Sequence, residues 1–272
     1  QLSNFNEPIV EEYTMPAVRR VQYENDEGDP IEGIVYHPPD VELSAASLPL
    51  LVSIHGGPMS YDEPEFDVEN AYFVGQGYIV FQPNYRGSSS YGGEFAEQLR
   101  GTRGVLETDD VMSGVEHLAD LGWIDPDRTF IQGFSYGGIA TAHLLTRVDS
   151  FAAGVAEHGI YDYYSNFGTD DAHLWAEDEF GLPWENVEKY REVSSITDVD
   201  EIETPLLITA GENDWRCPPT QAEQLHLSLR KVGVKTKLVV YQDERHSITD
   251  PDRAIHRLET IAEWFEEHDP GR

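Results

Sequence analysis

The stretch Gln132-Gly133-Phe134-Ser135-Tyr136-Gly137-Gly138 holds a serine in a G-x-S-x-G frame, with a third glycine directly after it. Before it, Arg128-Thr129-Phe130-Ile131 reads as a short buried strand. After it, Ile139-Ala140-Thr141-Ala142-His143-Leu144-Leu145 reads as a helix. A serine at such a junction sits on a strained turn, its hydroxyl lifted clear and the helix N-terminus behind it. The glycines leave room for backbones to approach closely and for unusual dihedrals. The bare pattern is common in glycine-rich loops; the strand–turn–helix setting gives it meaning.

Working outward, Arg19–Tyr23 and Ile31–Tyr36 alternate like two antiparallel strands around Glu27-Gly28-Asp29-Pro30. Leu48–Ile54 is a near-continuous apolar run, as expected of a strand covered on both faces, and it ends in His55-Gly56-Gly57-Pro58. Ala71–Gly75 reads as helix, Tyr78–Phe81 as strand, and Glu107–Leu121 as a long helix with Val111, Val115, Leu118 and Leu121 in phase. Asp125-Pro126-Asp127 reads as a turn. Further strands are expected at Ala152–Ala156, Leu206–Ala210 and Leu238–Tyr241, and helices at Thr220–Val232 and Arg253–Glu267. The opening to Met15 reads as polar and irregular. Strands alternating with helices predict an α/β fold: a mostly parallel, doubly wound sheet flanked by helices.

A serine nucleophile needs a base within hydrogen-bond reach, and the base needs an acid to hold its tautomer. In an α/β-hydrolase the order is serine, acid, histidine, on loops after successive strands. Asp214 follows Leu206–Ala210 and His246 follows Leu238–Tyr241, both at strand carboxyl ends where catalytic groups belong. Asp214 also suits a plain turn, and nine other histidines compete with His246. His117, His143, His226 and His256 lie in helical stretches, while His37, His173 and His268 have no strand end behind them. His158 follows a strand end but precedes Asp214, the wrong order for the base. Two backbone donors complete the set: the N–H of Tyr136, next after the serine, and that of Gly57 in the earlier glycine loop.

The bulk numbers limit what such a site would serve. With 51 acidic and 18 basic residues, four of the latter lysines, the 272-residue chain carries a net charge of −33. That argues against nucleic acid or an anionic membrane as partner. The acids lie in well-patterned segments such as 62–69, 170–179 and 185–192, and so predict the acidic skin of a salt-adapted protein. One cysteine, Cys217, excludes an internal disulfide and a cysteine-based metal cluster, and no cofactor or metal is called for. No run reaches membrane-spanning length and no signal peptide is visible, so a cytoplasmic location is expected. The chain opens on Gln1, which reads as a processed product or an excised piece.

His55-Gly56-Gly57-Pro58, Asn84-Tyr85-Arg86-Gly87-Ser88, the Ser135 motif, Asp214-Trp215-Arg216-Cys217-Pro218 and His246 occur in order over nearly the whole chain. Together they resemble the prolyl oligopeptidase family of serine peptidases, in its acylaminoacyl-peptidase and dipeptidyl-peptidase-like branches. The resemblance implies an α/β-hydrolase catalytic domain cleaving short peptides, with Ser135 as nucleophile, Asp214 as acid and His246 as base. It implies a substrate-binding role for Arg216, whose other reading is a surface salt bridge. It also implies a β-propeller ahead of the catalytic domain. Residues 1–15, with Leu2-Ser3-Asn4-Phe5-Asn6, then read as a propeller-exit lead-in, 16–272 as the catalytic domain, and 160–200 as a cap or lid excursion. Where the family often has Trp-Gly before the long helix, this chain has Arg103-Gly104. The absent propeller leaves an exposed face, so a homo-oligomer is expected. A carboxylesterase on the same fold is the nearest alternative, and a non-catalytic binding module the remote one.

Overall fold

The central sheet strands are buried on both faces, while the edge strands are partly exposed. The computed structural model of the protein describes residues 6–45 and 47–272; Leu2-Ser3-Asn4-Phe5 of the lead-in lie outside them. In chain order the elements are α1 (Glu7–Glu12), β1 (Ala17–Glu24), β2 (Pro30–His37), β3 (Leu48–Ile54), α2 (Val68–Gly75), β4 (Ile79–Asn84), α3 (Gly93–Glu97) and α4 (Leu106–Asp120). They continue with β5 (Ile124–Phe134), α5 (Tyr136–Leu145), β6 (Ala153–Glu157), α6 (Tyr163–Asn166), α7 (His173–Phe180), α8 (Val187–Glu192), β7 (Leu206–Gly211), α9 (Pro219–Val232), β8 (Thr236–Tyr241) and α10 (Pro251–His268).

Among the described residues the strands form one sheet in the order β1-β2-β4-β3-β5-β6-β7-β8. β1, β2 and β4 pair antiparallel, and every neighbouring pair from β4–β3 onward is parallel. Leu50, Val52 and Ile54 of β3 belong to one buried cluster with Val111, Val115 and Leu118 of α4 and, toward the far edge of the sheet, Leu225 and Leu229 of α9. Leu51, Val80 and Phe130 face the other way, onto Phe73 of α2 and Ile261, Trp264 and Phe265 of α10. This two-sided burial is why the strands read as apolar runs instead of alternating. The sheet and its flanking helices have the α/β-hydrolase architecture expected.

Two local expectations differ. The opening segment forms α1, a fully exposed helix whose first turn holds Glu7 and a proline, Pro8, where its missing N–H costs nothing. Asp125-Pro126-Asp127 lies within β5 as an irregularity: the β3–β5 register shifts between Leu48↔Ile124 and Leu50↔Thr129. Residues 160–200 carry three short helices and a 3-10 turn (Ser195–Glu201), packed around a ring cluster of Tyr163, Trp175, Phe180 and Tyr190. No single apolar stripe forms, so the segment lacks helical periodicity in sequence. No described helix is long and apolar enough to cross a membrane.

Candidate active site

Ser135 stands between β5 and α5 with φ 60° and ψ −120°, a conformation rare for a residue with a side chain. Close packing enforces it. A β-carbon at Gly133 would lie 2.2 Å from the Gly137 carbonyl oxygen, one at Gly137 2.0 Å from that of Ile54, and one at Gly138 2.4 Å from that of Glu157. The elbow is thus wedged between β3 and β6, and α5 is buried along its whole length.

Two later loops meet at the serine. A β-carbon at Gly211, the last residue of β7, would lie 2.2 Å from the Arg245 carbonyl oxygen, so the loop after β8 crosses directly over the loop after β7. Asn213 N–H donates to the Glu244 carbonyl at 2.8 Å. The buried Glu244 carboxylate accepts from the N–H groups of Thr249 and Asp250 at 3.0 Å each, fixing the turn that follows His246. His246 Nε2 is 2.9 Å from Ser135 Oγ, and His246 Nδ1 is 2.8 Å from Asp214 Oδ2. Asp214 Oδ1 accepts from the N–H groups of Arg216 and Cys217 at 2.8 and 2.9 Å. Burial works to raise the Asp214 pKa, yet the hydrogen bonds from His158, His246 and Cys217 outweigh it and hold the carboxyl well below its usual range. Serine, acid and histidine foreseen in sequence therefore come together.

The glycine loop lies against the elbow: a β-carbon on Gly56 would be 3.2 Å from Ser135 Cβ and 3.8 Å from Tyr136 N. The loop is anchored by Asn84–Ser88. His55 stacks on Tyr85 at 4.4 Å, its Nε2 meets Ser88 Oγ at 2.8 Å, and Tyr85 Oη donates to the His55 carbonyl at 2.9 Å. Burial pushes the His55 pKa down to about 4, against the opposing hydrogen bond to the Gly56 carbonyl. Gly57, Ser135 and Tyr136 line one cavity of about 250 Å³, whose walls are mainly apolar, with Ile139, Ile160 and Trp175 among them, and carry the charged Arg103, Asp170 and Arg216. A second cavity, about 360 Å³, lies on the α2/α10 side around Glu69, Glu157 and Arg257, and Ser135 and His246 are not among its lining.

A family model for the prolyl oligopeptidase family matches residues 64–269. The chain belongs to the prolyl oligopeptidase family. The uncharacterized peptidase YuxL of Bacillus subtilis is 36% identical over 276 residues, covering 98% of this chain and 42% of that protein. The acylamino-acid-releasing enzyme of Arabidopsis thaliana is 29% identical, covering 88% of this chain and 33% of that protein. The acylaminoacyl peptidase of Pyrococcus horikoshii superposes with a TM-score of 0.92 at 27% identity, over 99% of this chain and 44% of that one. An acylaminoacyl peptidase complexed with Z-Gly-Gly-Phe-chloromethyl ketone gives 0.91 at 28% identity, over 98% and 44%. The chain spans less than half the length of these relatives.

Two residues depart from the family pattern or from a simple reading of it. Arg103 is buried, pairs with Glu179 through Nε and Nη2 at 2.7 Å each, and lies between the rings of Tyr136 (4.8 Å) and Trp175 (4.3 Å). Its cation stacks on both rings and ties α7 to the elbow. Arg216 lines the cavity, but its Nε is paired with Asp171 Oδ1 at 2.5 Å and half the side chain is exposed. The salt-bridge reading of Arg216 is thus observed, and its place on the cavity wall is compatible with the substrate-binding reading. Sequence reasoning passed over His158, because chain order excludes it as the base. The structure places its Nδ1 3.2 Å from Asp214 Oδ2. His158, Asp214 and His246 offer possible metal-ligand atoms within 4.8 Å of one another, but both imidazole Nδ1 atoms are committed to the carboxylate.

Proposed function

We propose that the protein is a serine peptidase that hydrolyses short peptides, acylaminoacyl-peptidase or aminopeptidase-like, through an acyl-enzyme. One observation carries the reading: His246 bridges Ser135 Oγ and Asp214 Oδ2 at 2.9 and 2.8 Å. With its proton on Nδ1, donated to Asp214, His246 has a free Nε2 lone pair for the Ser135 proton. Ser135 Oγ attacks the scissile carbonyl as that proton moves, and Asp214 stabilises the imidazolium. The N–H groups of Tyr136 and Gly57 receive the developing oxyanion. His246 then protonates the leaving amine, and water repeats the sequence in reverse to release the acid. The apolar cavity beside Ser135 receives the side chain on the acyl side, with Arg216 at its rim and residues 160–200 as its cap.

The test is turnover of N-acetyl-phenylalanyl p-nitroanilide in high salt. Wild type should cleave it, and Ser135→Ala should lower kcat by about six orders of magnitude. Hydrolysis of the matching p-nitrophenyl ester without amide cleavage would make the protein a carboxylesterase; amide cleavage retained in Ser135→Ala would end the assignment.

The same reading assigns a cytoplasmic, salt-adapted protein. It also assigns an N-terminal β-propeller to the face where Leu174 and Trp215 are 69% and 70% exposed. A second copy of the chain is the other occupant of that face, and sedimentation across protein concentrations distinguishes them.

A further inference from the structure

Asp214 Oδ2 serves two imidazoles. His246 Nδ1 is 2.8 Å away and His158 Nδ1 3.2 Å away, and both the acid and His158 have fully buried side chains. A carboxylate offers only acceptors, so both rings carry a proton on Nδ1. His158 Nε2 is buried without a partner, which leaves the bond to Asp214 as the ring's described hydrogen bond. The residue adopts φ 49°, a left-handed conformation that side chains rarely take, and its ring packs on Phe134 at 4.9 Å. Strain of this kind persists where the surroundings over-determine it, commonly at functional sites. His158 N–H is also tied to the Thr209 carbonyl at 2.9 Å, so the backbone that aims the ring is itself held by β7.

We propose that His158 is a positioning residue for the reaction: its Nδ1–H holds the buried Asp214 carboxylate in the one orientation that meets His246. The proposal rests on the Ser135–His246–Asp214 reading. Arg216 and Cys217 N–H groups fix Oδ1, but Oδ2 would otherwise have His246 alone, and His246 must move charge during turnover. A second donor on Oδ2 keeps that oxygen in place while the His246 bond changes character. His158 does not line the cavity beside Ser135, so its loss should act on kcat and leave KM unchanged.

Three proteins decide it. His158→Asn places an amide nitrogen where Nδ1 stands and tolerates a positive φ. His158→Phe keeps a ring on Phe134 but has no donor. With N-acetyl-phenylalanyl p-nitroanilide, the Phe variant should lose about tenfold to a hundredfold in kcat at unchanged KM, the scale of a hydrogen bond to a charged group. The Asn variant should regain most of that loss. A Phe variant as active as wild type, or an Asn variant as impaired as the Phe one, would overturn the proposal in favour of ring packing. The third protein is Ser135→Ala with 15N-labelled imidazoles, whose NMR reads the tautomer without any turnover. A His158 proton on Nδ1 is expected, and one on Nε2 overturns the proposal. Failure of wild type to cleave the amide would count against the peptidase reading alone, and the tautomer would then decide the role of His158.

Discussion

A methyl group at residue 138 would lie 2.4 Å from the Glu157 carbonyl oxygen and 2.9 Å from its nitrogen, so β6 itself would have to move. Gly138→Ala should therefore destabilise the fold by about 1–3 kcal/mol, read as a lower denaturation midpoint. Gly57 is a different case. Its φ is 117° and a β-carbon there would lie 2.8 Å from Met59 N, so Gly57→Ala displaces the loop proposed to hold the oxyanion. It should lower kcat by about a hundredfold with a smaller change in KM; an unchanged kcat would remove Gly57 from that role. At this scale the serine, acid and base were legible because each follows a strand and each motif is local. His158 and Arg103 were not, because a shared carboxylate oxygen and a ring sandwich are contacts between distant segments. A histidine after β6 gave a signal, but chain order spoke only to its fitness as base.

The Asn84–Ser88 segment shows how an element serves the site from a distance. Arg86 is buried and bonds to the fully buried Asp110 of α4, through Nε at 3.0 Å and backbone N–H at 2.7 Å, while Asn25 Nδ2 donates to the same acid at 2.9 Å. Removing the acid leaves the buried guanidinium to the exposed Glu27, 2.8 Å from Nη1, and strips the Arg86 N–H and Asn25 of their acceptor, so Asp110→Ala should cost about 3–5 kcal/mol in chemical denaturation. Activity should fall too, since Ser88 on the same loop holds His55; a stable variant with full activity would uncouple the loop from the site. The strand positions and the long helices α4, α9 and α10 were readable from apolar runs and helical phase, while the order of the strands in the sheet was not. Residues 160–200 were not, because their rings pack on one another and form no stripe. The helix α1 went unread for the opposite reason, as it buries nothing.

For the whole molecule, charge and buried imidazoles set the response to solvent. At net charge −33 the skin repels itself at low salt, and near 1 M salt the Debye length of about 3 Å screens it. The melting temperature should rise between 0.1 and 2 M salt; one that stays flat would contradict salt adaptation. In high salt a pH effect should emerge. Burial holds His55 and His143 down to about 4, so from pH 6.5 toward 4 the unfolded chain takes up protons that the folded one refuses. Those two rings lower stability as pH drops through that window, against the buried Asp62 carboxyl, raised to about 7 chiefly by burial, which takes up its proton over the same range and works the other way. Stability should fall below the window, as Asp214 and Asp269, whose pKa values are depressed, are protonated. A melting temperature that drops as steeply from pH 6.5 to 4 in a His143→Gln variant as in wild type would contradict the burial of that ring.

The account turns on Ser135 as an activated nucleophile, and intact-protein mass spectrometry after reaction with a fluorophosphonate tests this most directly. One adduct should form, mapping to the peptide that contains Ser135, absent in Ser135→Ala and strongly slowed in His246→Gln. An unlabelled wild-type protein, or an adduct that persists in Ser135→Ala, would contradict it.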